Sequence, residues 1–252
     1  MARESHPTRE KIMTEPITVV LVHGAFAESA SWTGVLSLLQ ERGIAAFATP
    51  NPLRSVTTDA ENVHRATDSV AGPVLLVGHS YGGAVITEAA VDNHNVVGLV
   101  YVSAFAPDHG ENSFQLRGQF PGSSLGDTVR PYPLGDGTND LIVDRALFPN
   151  QFAADVPLDE AKIQAATQRP IRDFAFGEPQ PAETPAWKTL PCWFVFGTGD
   201  KNIPVEGLRF MAERAGSLAT REIEGASHLV MVSHPDAVVQ LIIDAIDHLS
   251  QN

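Results

Sequence analysis

The sequence predicts an α/β chain: a mostly parallel central sheet with helices on both faces and an inserted lid. Three observations carry this. From residue 17 to 105, short apolar β-rich runs alternate with helical stretches, the rhythm of strand–helix–strand units around a parallel sheet. The rhythm fails from 106 to 187 and returns from 188 to 252, as expected of one core interrupted by an insertion. Finally, residues 73–83 read P-V-L-L-V-G-H-S-Y-G-G ahead of the helical A-V-I-T-E-A-A. A continuous apolar run suits a strand buried on both faces. Strand, cramped turn and helix is the context in which G-x-S-x-G lifts a serine hydroxyl clear of a sheet. Gly78 and Gly82 let strand and helix approach closely there, and the free N–H groups of the helix favour negative charge beside Ser80.

The elements follow in order. Residues 17–22 (I-T-V-V-L-V) make the first strand, ending in His23-Gly24-Ala25-Phe26. A strand that ends in His-Gly can turn the next N–H, that of Ala25, towards the serine. The N–H of Tyr81, directly after Ser80, would be the second donor of an oxyanion hole. His23 and His79 read as structural histidines that brace these turns. Residues 29–42 form a helix closed by Gly43. Residues 44–49 form a strand stopped by Pro50-Asn51-Pro52, and 57–70 a helix with Asp59 and Glu61 near its positive end. Residues 96–105 are another buried strand.

In the insertion, 131–134 and 141–143 flank a Gly-Asp-Gly-Thr-Asn turn and read as a hairpin, and 158–168 as a helix. Its aromatics, among them Phe114, Phe120, Tyr132, Phe148, Phe152, Phe174 and Phe176, fill a small core, and a few line a pocket. Residues 191–196 resume the sheet and end in Gly197-Thr198-Gly199-Asp200. A helix over 204–215, a strand over 219–223 and Gly225-Ala226-Ser227-His228 follow. Ser233 is read as the N-cap of the last helix, with Pro235 in its first turn. Val238, Leu241, Ile242, Ala245, Ile246 and Leu249 form its buried stripe.

The domain reading is therefore a mobile extension over 1–16, a core over 17–105 and 188–252, and a lid over 106–187. Met1 and Met13 are both candidate starts. The chain has 252 residues and a net charge of −13. That balance argues against a nucleic-acid or anionic-membrane partner, which needs a basic surface. Cys192 is the only cysteine. It allows no internal disulfide and no cysteine-rich metal site, and its apolar surroundings make it an inert buried thiol. The start lacks the apolar core of a signal peptide, and no run approaches the ~20 apolar residues that span a bilayer, so a cytoplasmic protein is expected. Monomer and homodimer both remain open.

Ser80, Asp200 and His228 each follow a different expected strand at its carboxyl end, where sites of parallel sheets lie. A serine hydroxyl needs a neighbouring base to take its proton, and the base needs a carboxylate to hold its tautomer. Asp108 is an alternative acid and His234 a rival base. His64, His94 and His248 read as surface histidines. The segments V-L-V-H-G-A-F, G-H-S-Y-G-G, G-T-G-D and G-A-S-H resemble the α/β-hydrolase superfamily over nearly the whole chain from Ile17. The H-G-A turn and the S-A-F-A-P-D segment look like the plant methylesterase and hydroxynitrile lyase branch and its bacterial esterase relatives.

This resemblance implies a Ser80–His228–Asp200 triad, an oxyanion hole from the N–H groups of Ala25 and Tyr81, a lid over an apolar pocket, and no metal or other cofactor. Hydroxynitrile lyases of the branch carry lysine after the histidine and threonine at the position of Gly24. Leu229 and Gly24 stand here, which points to ester hydrolysis. Dehalogenase and epoxide hydrolase relatives need a carboxylate nucleophile, which Ser80 is not. The expectation is a serine esterase acting on a small to medium, largely apolar ester. The alternatives are a ligand receptor that retains the triad, a lyase or C–C bond-cleaving α/β-hydrolase, and perhydrolysis as a side activity.

Overall fold

The computed structural model describes residues 15–251; the expected extension over 1–16 lies outside them except for its last two residues. The first strand, β1 (Thr18–Val22), leads through a 3₁₀ turn (Ser29–Trp32) into helix α1 (Thr33–Glu41). The sequence predicts one helix over 29–42. Its first turn is 3₁₀ because Trp32, buried and at φ −89°, ψ 0°, falls outside α geometry. Then come β2 (Ala46–Thr49), α2 (Val56–Asp68), β3 (Val74–His79), α3 (Tyr81–Ala89) and β4 (Val96–Val102). The strand expected over 96–105 stops at Val102 because Ser103, at φ 43°, leaves extended geometry.

The six-stranded sheet has the order β2-β1-β3-β4-β8-β9, with β8 (Cys192–Gly197) and β9 (Thr220–Ile223) completing it. Every pairing in it is parallel. The inner strands β3, β4 and β8 are buried at every residue, whereas edge strand β9 alternates exposed and half-buried. Continuous apolar runs therefore mark strands covered on both faces. The register pairs Val22 with Gly78, His79 with Val102, and Gly197 with Ile223. The loops carrying Ala25, Ser80, Asp200 and His228 thus leave one edge of the sheet together.

Between β4 and β8 lie α4 (Ser113–Gln119), α5 (Leu125–Thr128), β5 (Val129–Pro133), β6 (Asn139–Val143), α6 (Phe148–Phe152), α7 (Leu158–Thr167), β7 (Ile171–Arg172) and α8 (Asp173–Gly177). The expected hairpin is present as β5 and β6, which pair antiparallel. A third strand, β7, joins it; at two residues it is too short to show periodicity. Helix α7 ends one residue before the expected Gln168, whose side-chain amide exchanges hydrogen bonds with the backbone N–H and C=O of Val143 (2.8 and 2.9 Å).

The insertion is bound to the core by charged and polar contacts. Arg54 meets Asp140 at 2.7 Å and Arg214 meets Glu111 at 2.7 Å, while Trp187 Nε1–H donates to the Pro107 carbonyl at 2.9 Å and joins the two ends of the insertion to each other.

The chain closes with α9 (Val205–Arg214), α10 (Val230–Ser233) and α11 (Pro235–Ser250). Pro235 opens α11 as expected, but Ser233 is not its N-cap. His234 holds that position, with no side-chain cap bond. The residue before proline is driven out of helical geometry, and His234 adopts φ −133°, ψ 54°. Ser233 instead ends α10, its hydroxyl donating to the Leu229 carbonyl. The buried face of α11 matches the expected stripe except that Val239 joins it and Ile246 is only partly buried. Cys192 is buried, and burial pushes its thiol up to about 12. Among the described residues no helix is long and apolar enough to cross a membrane.

Candidate active site

Ser80 sits between β3 and α3 at φ 53°, ψ −123°, a strained conformation for a residue with a Cβ. The surroundings hold it there. Its N–H donates to the Val102 carbonyl (3.2 Å), and its C=O accepts from Gly83 (3.0 Å) and Phe105 (3.1 Å). A Cβ at Gly78 would lie 2.6 Å from the Gly82 carbonyl oxygen, so the strand and helix cross too closely for a side chain. Ser80 is 5% exposed.

His228 reaches the same place from the loop after β9. Its Nδ1–H donates to Asp200 Oδ2 at 2.6 Å, with both side chains buried. The other carboxylate oxygen of Asp200 accepts the N–H groups of Asn202 (2.7 Å) and Ile203 (3.0 Å). His228 Nε2 is buried and has no partner among the described residues. The imidazole is thus held as the Nδ1–H tautomer with a bare Nε2, the form required of a base. Asp108, the alternative acid, pairs with Lys188 at the surface. His234, the rival base, meets Asp155 Oδ2 at 3.4 Å and is substantially exposed.

The turn after β1 packs directly on the Ser80 turn. A Cβ at Gly24 would be 2.6 Å from both the His79 carbonyl oxygen and Ser80 Cβ. This glycine brings Ala25 alongside Ser80, and both line one cavity. The N–H of Tyr81, in the first turn of α3, has no acceptor within its helix. His23 braces the turn as expected: Nδ1–H donates to Gly24 O (2.9 Å), and Nε2 accepts from Asn51 N–H (3.0 Å). Burial lowers its pKa, which favours the neutral ring these bonds require.

His79 lies against His228, ring centroids 4.7 Å apart, and its Nε2–H donates to the His228 carbonyl at 3.2 Å. Burial, then the proximity of His228, holds its pKa well below the usual histidine value. It supports the His228 loop and makes no hydrogen bond to Ser80.

The cavity over Ser80 is a narrow cleft of about 10 Å³. Phe26, Phe105, Phe152 and Phe176 line it beside Ser80 and His228, so two of the insertion's aromatics reach the site. Phe148 is buried behind them, stacked on Phe152 with centroids 4.9 Å apart, while Tyr132 and Phe174 are exposed.

Residues 19–241 match the family model described as the alpha/beta hydrolase family. The chain belongs to the α/β-hydrolase family. It is 29% identical to a pyrethroid hydrolase of Sphingobium wenxiniae, over 91% of this chain and 87% of that protein. It is 24% identical to an alpha-hydroxynitrile lyase of Arabidopsis thaliana, over 86% and 92%. The crystal structure of polyneuridine aldehyde esterase superposes with a TM-score of 0.77 at 20% identity, over 92% of this chain and 99% of that one. Esterases and a lyase thus share the architecture of this α/β-hydrolase.

Three supports of this α/β-hydrolase site escaped the sequence reading: Asn51 on His23, the Asn202 and Ile203 N–H groups on Asp200, and Asp59. The Tyr81 hydroxyl donates to Asp59 Oδ2 at 3.0 Å, and the Arg54 N–H reaches both oxygens of the same carboxylate. The signal was present. Val56, Asp59, Ala60, Val63 and Thr67 form the buried face of α2, so an acid stands on the apolar stripe.

Burial pushes the Asp59 carboxyl up to about 6, against the pull of the Arg54 and Tyr81 donors. A carboxyl whose pKa is higher folded than unfolded binds protons more tightly in the folded state. It therefore costs stability as pH rises from about 4 to 6. In urea denaturation, the stability of wild type minus that of Asp59→Asn is expected to fall by ~2–3 kcal/mol between pH 4 and 7. A pH-independent difference would contradict this reading.

Proposed function

We propose that this chain is a serine hydrolase that cleaves carboxylic esters of small to medium, largely apolar molecules through an acyl-enzyme on Ser80. The observation that carries the reading is the arrangement of His228: Nδ1 is held by Asp200 at 2.6 Å, Nε2 has no partner among the described residues, and His228 and Ser80 line one cavity. Ser80 Oγ attacks the ester carbonyl as His228 Nε2 takes its proton. The tetrahedral oxyanion is held by the N–H groups of Ala25 and Tyr81. His228 returns the proton to the leaving alcohol, then activates water to release the acid, while Asp200 stabilises the transient imidazolium. The segment 106–187 acts as the lid, giving Phe152 and Phe176 to an apolar wall.

The apolar lining and the similarity to a pyrethroid hydrolase support an ester with an apolar body. Leu229, after His228, is buried and apolar, so this position offers no cation for a leaving cyanide, which disfavours the cyanohydrin lyase alternative.

Hydrolysis in ¹⁸O-labelled water tests the reaction class. Short-chain aryl and alkyl esters are expected to yield alcohol and acid in equal amounts, with the label in the acid alone. Label in the alcohol, or carbonyl products without acid, would overturn acyl transfer to water.

A further inference from the structure

Arg117, on α4, lines the Ser80 cavity. It also lines a wider groove of about 460 Å³, shared with Leu125 and Phe176, that continues the cavity past Phe114, Val129 and Leu141. Among the residues lining the inner cavity it alone carries a permanent charge. Its guanidinium has neither hydrogen bond nor ion pair among the described residues. Its one directed contact is the Phe114 ring, with Cζ 5.1 Å from the centroid.

The other arginines among the described residues differ. Arg54, Arg65, Arg130, Arg169, Arg172, Arg209, Arg214 and Arg221 all face carboxylates, Arg42 binds a carbonyl, and Arg145 is exposed. Arg117 is half-buried, and burial lowers its pKa. The one acid among the lining residues, Asp173, belongs to the outer groove only and accepts from the Asn139 side-chain amide and the Phe174 N–H. A partly dehydrated guanidinium without an acid is costly. In a chain with 30 acidic residues against 17 basic ones, its lack of a partner leaves five donors for a ligand.

We infer that Arg117 recognises an anionic group at the far end of the ester, so that the preferred substrates pair an apolar body with a terminal carboxylate or equivalent anion. This rests on the ester hydrolase reading above and names its substrate class. Charge-assisted, bidentate bonds between a guanidinium and a carboxylate supply the selectivity. The position of Arg117, where inner cavity meets outer groove, would let the apolar chain lie along Phe152 and Phe176 with the scissile carbonyl at Ser80.

The test compares monomethyl esters of linear dicarboxylic acids, in a length series, with neutral methyl alkanoates of matching chain length. Wild type is expected to favour the best half-ester, and Arg117→Gln to lower its kcat/KM by ~10–100-fold. The neutral ester should change less than about threefold, and Arg117→Lys should restore part of the loss. Equal losses on both substrates, or no wild-type preference for the half-ester, would overturn the inference while leaving the hydrolase reading intact if neutral esters still turn over.

A binding arm is independent of turnover. Calorimetry of Ser80→Ala with the best half-ester should show binding that weakens by the same factor when Arg117→Gln is added. Unchanged affinity would also overturn the inference.

Discussion

Ser80→Ala is expected to lower kcat for a short-chain aryl ester by about 10⁴- to 10⁶-fold. The size of the effect follows from the cavity. Its lining contains no other hydroxyl, thiol or amine, and the Cys192 thiol, pushed up to about 12 by burial, belongs to β8. No second nucleophile stands ready to replace the serine. Residual catalysis would come from the oxyanion donors and substrate positioning alone. The fold should be indifferent to the change, because the Ser80 backbone, not its hydroxyl, carries the hydrogen bonds to Val102, Gly83 and Phe105. Comparable turnover by wild type and Ser80→Ala, in protein of unchanged Tm, would contradict the mechanism.

Asp200→Asn is expected to cost about 10⁴-fold in kcat with little change in Tm. Oδ1 of Asp200 accepts two backbone N–H groups, from Asn202 and Ile203, while Oδ2 accepts from His228. In the variant, the amide oxygen must stay with those two donors, which turns the NH₂ towards His228 Nδ1. The imidazole must then accept at Nδ1 and carry its proton on Nε2, so that Nε2 can no longer act as a base. ¹⁵N chemical shifts of the His228 ring should report this tautomer switch. A kcat loss without the switch would mean that Asp200 acts differently.

The core was legible in the sequence because burial on both faces leaves a plain mark. The runs V-L-L-V and W-F-V-F became β3 and β8, and the residues just beyond the strands, Ala25, Ser80 and Asp200, came together because parallel register aligns those ends. The insertion was less legible. Strand β7 is two residues long, and the placement of Phe152 and Phe176 depends on how short elements pack. Arg117 carried no signal at all in sequence: one arginine among many looks alike until its neighbours show that no acid meets it. The Ser233 cap failed for a local reason, since Pro235 constrains His234 and shifts the helix start past the serine.

In the proposed mechanism His228 and Asp200 activate Ser80. The most direct measurement treats the folded protein with a reporter-tagged fluorophosphonate and locates the adduct by peptide mass spectrometry. One adduct per chain is expected, on the peptide holding Ser80, absent from Ser80→Ala and strongly slowed in His228→Ala and Asp200→Asn. An unlabelled wild type, an adduct elsewhere, or labelling indifferent to His228 would contradict it.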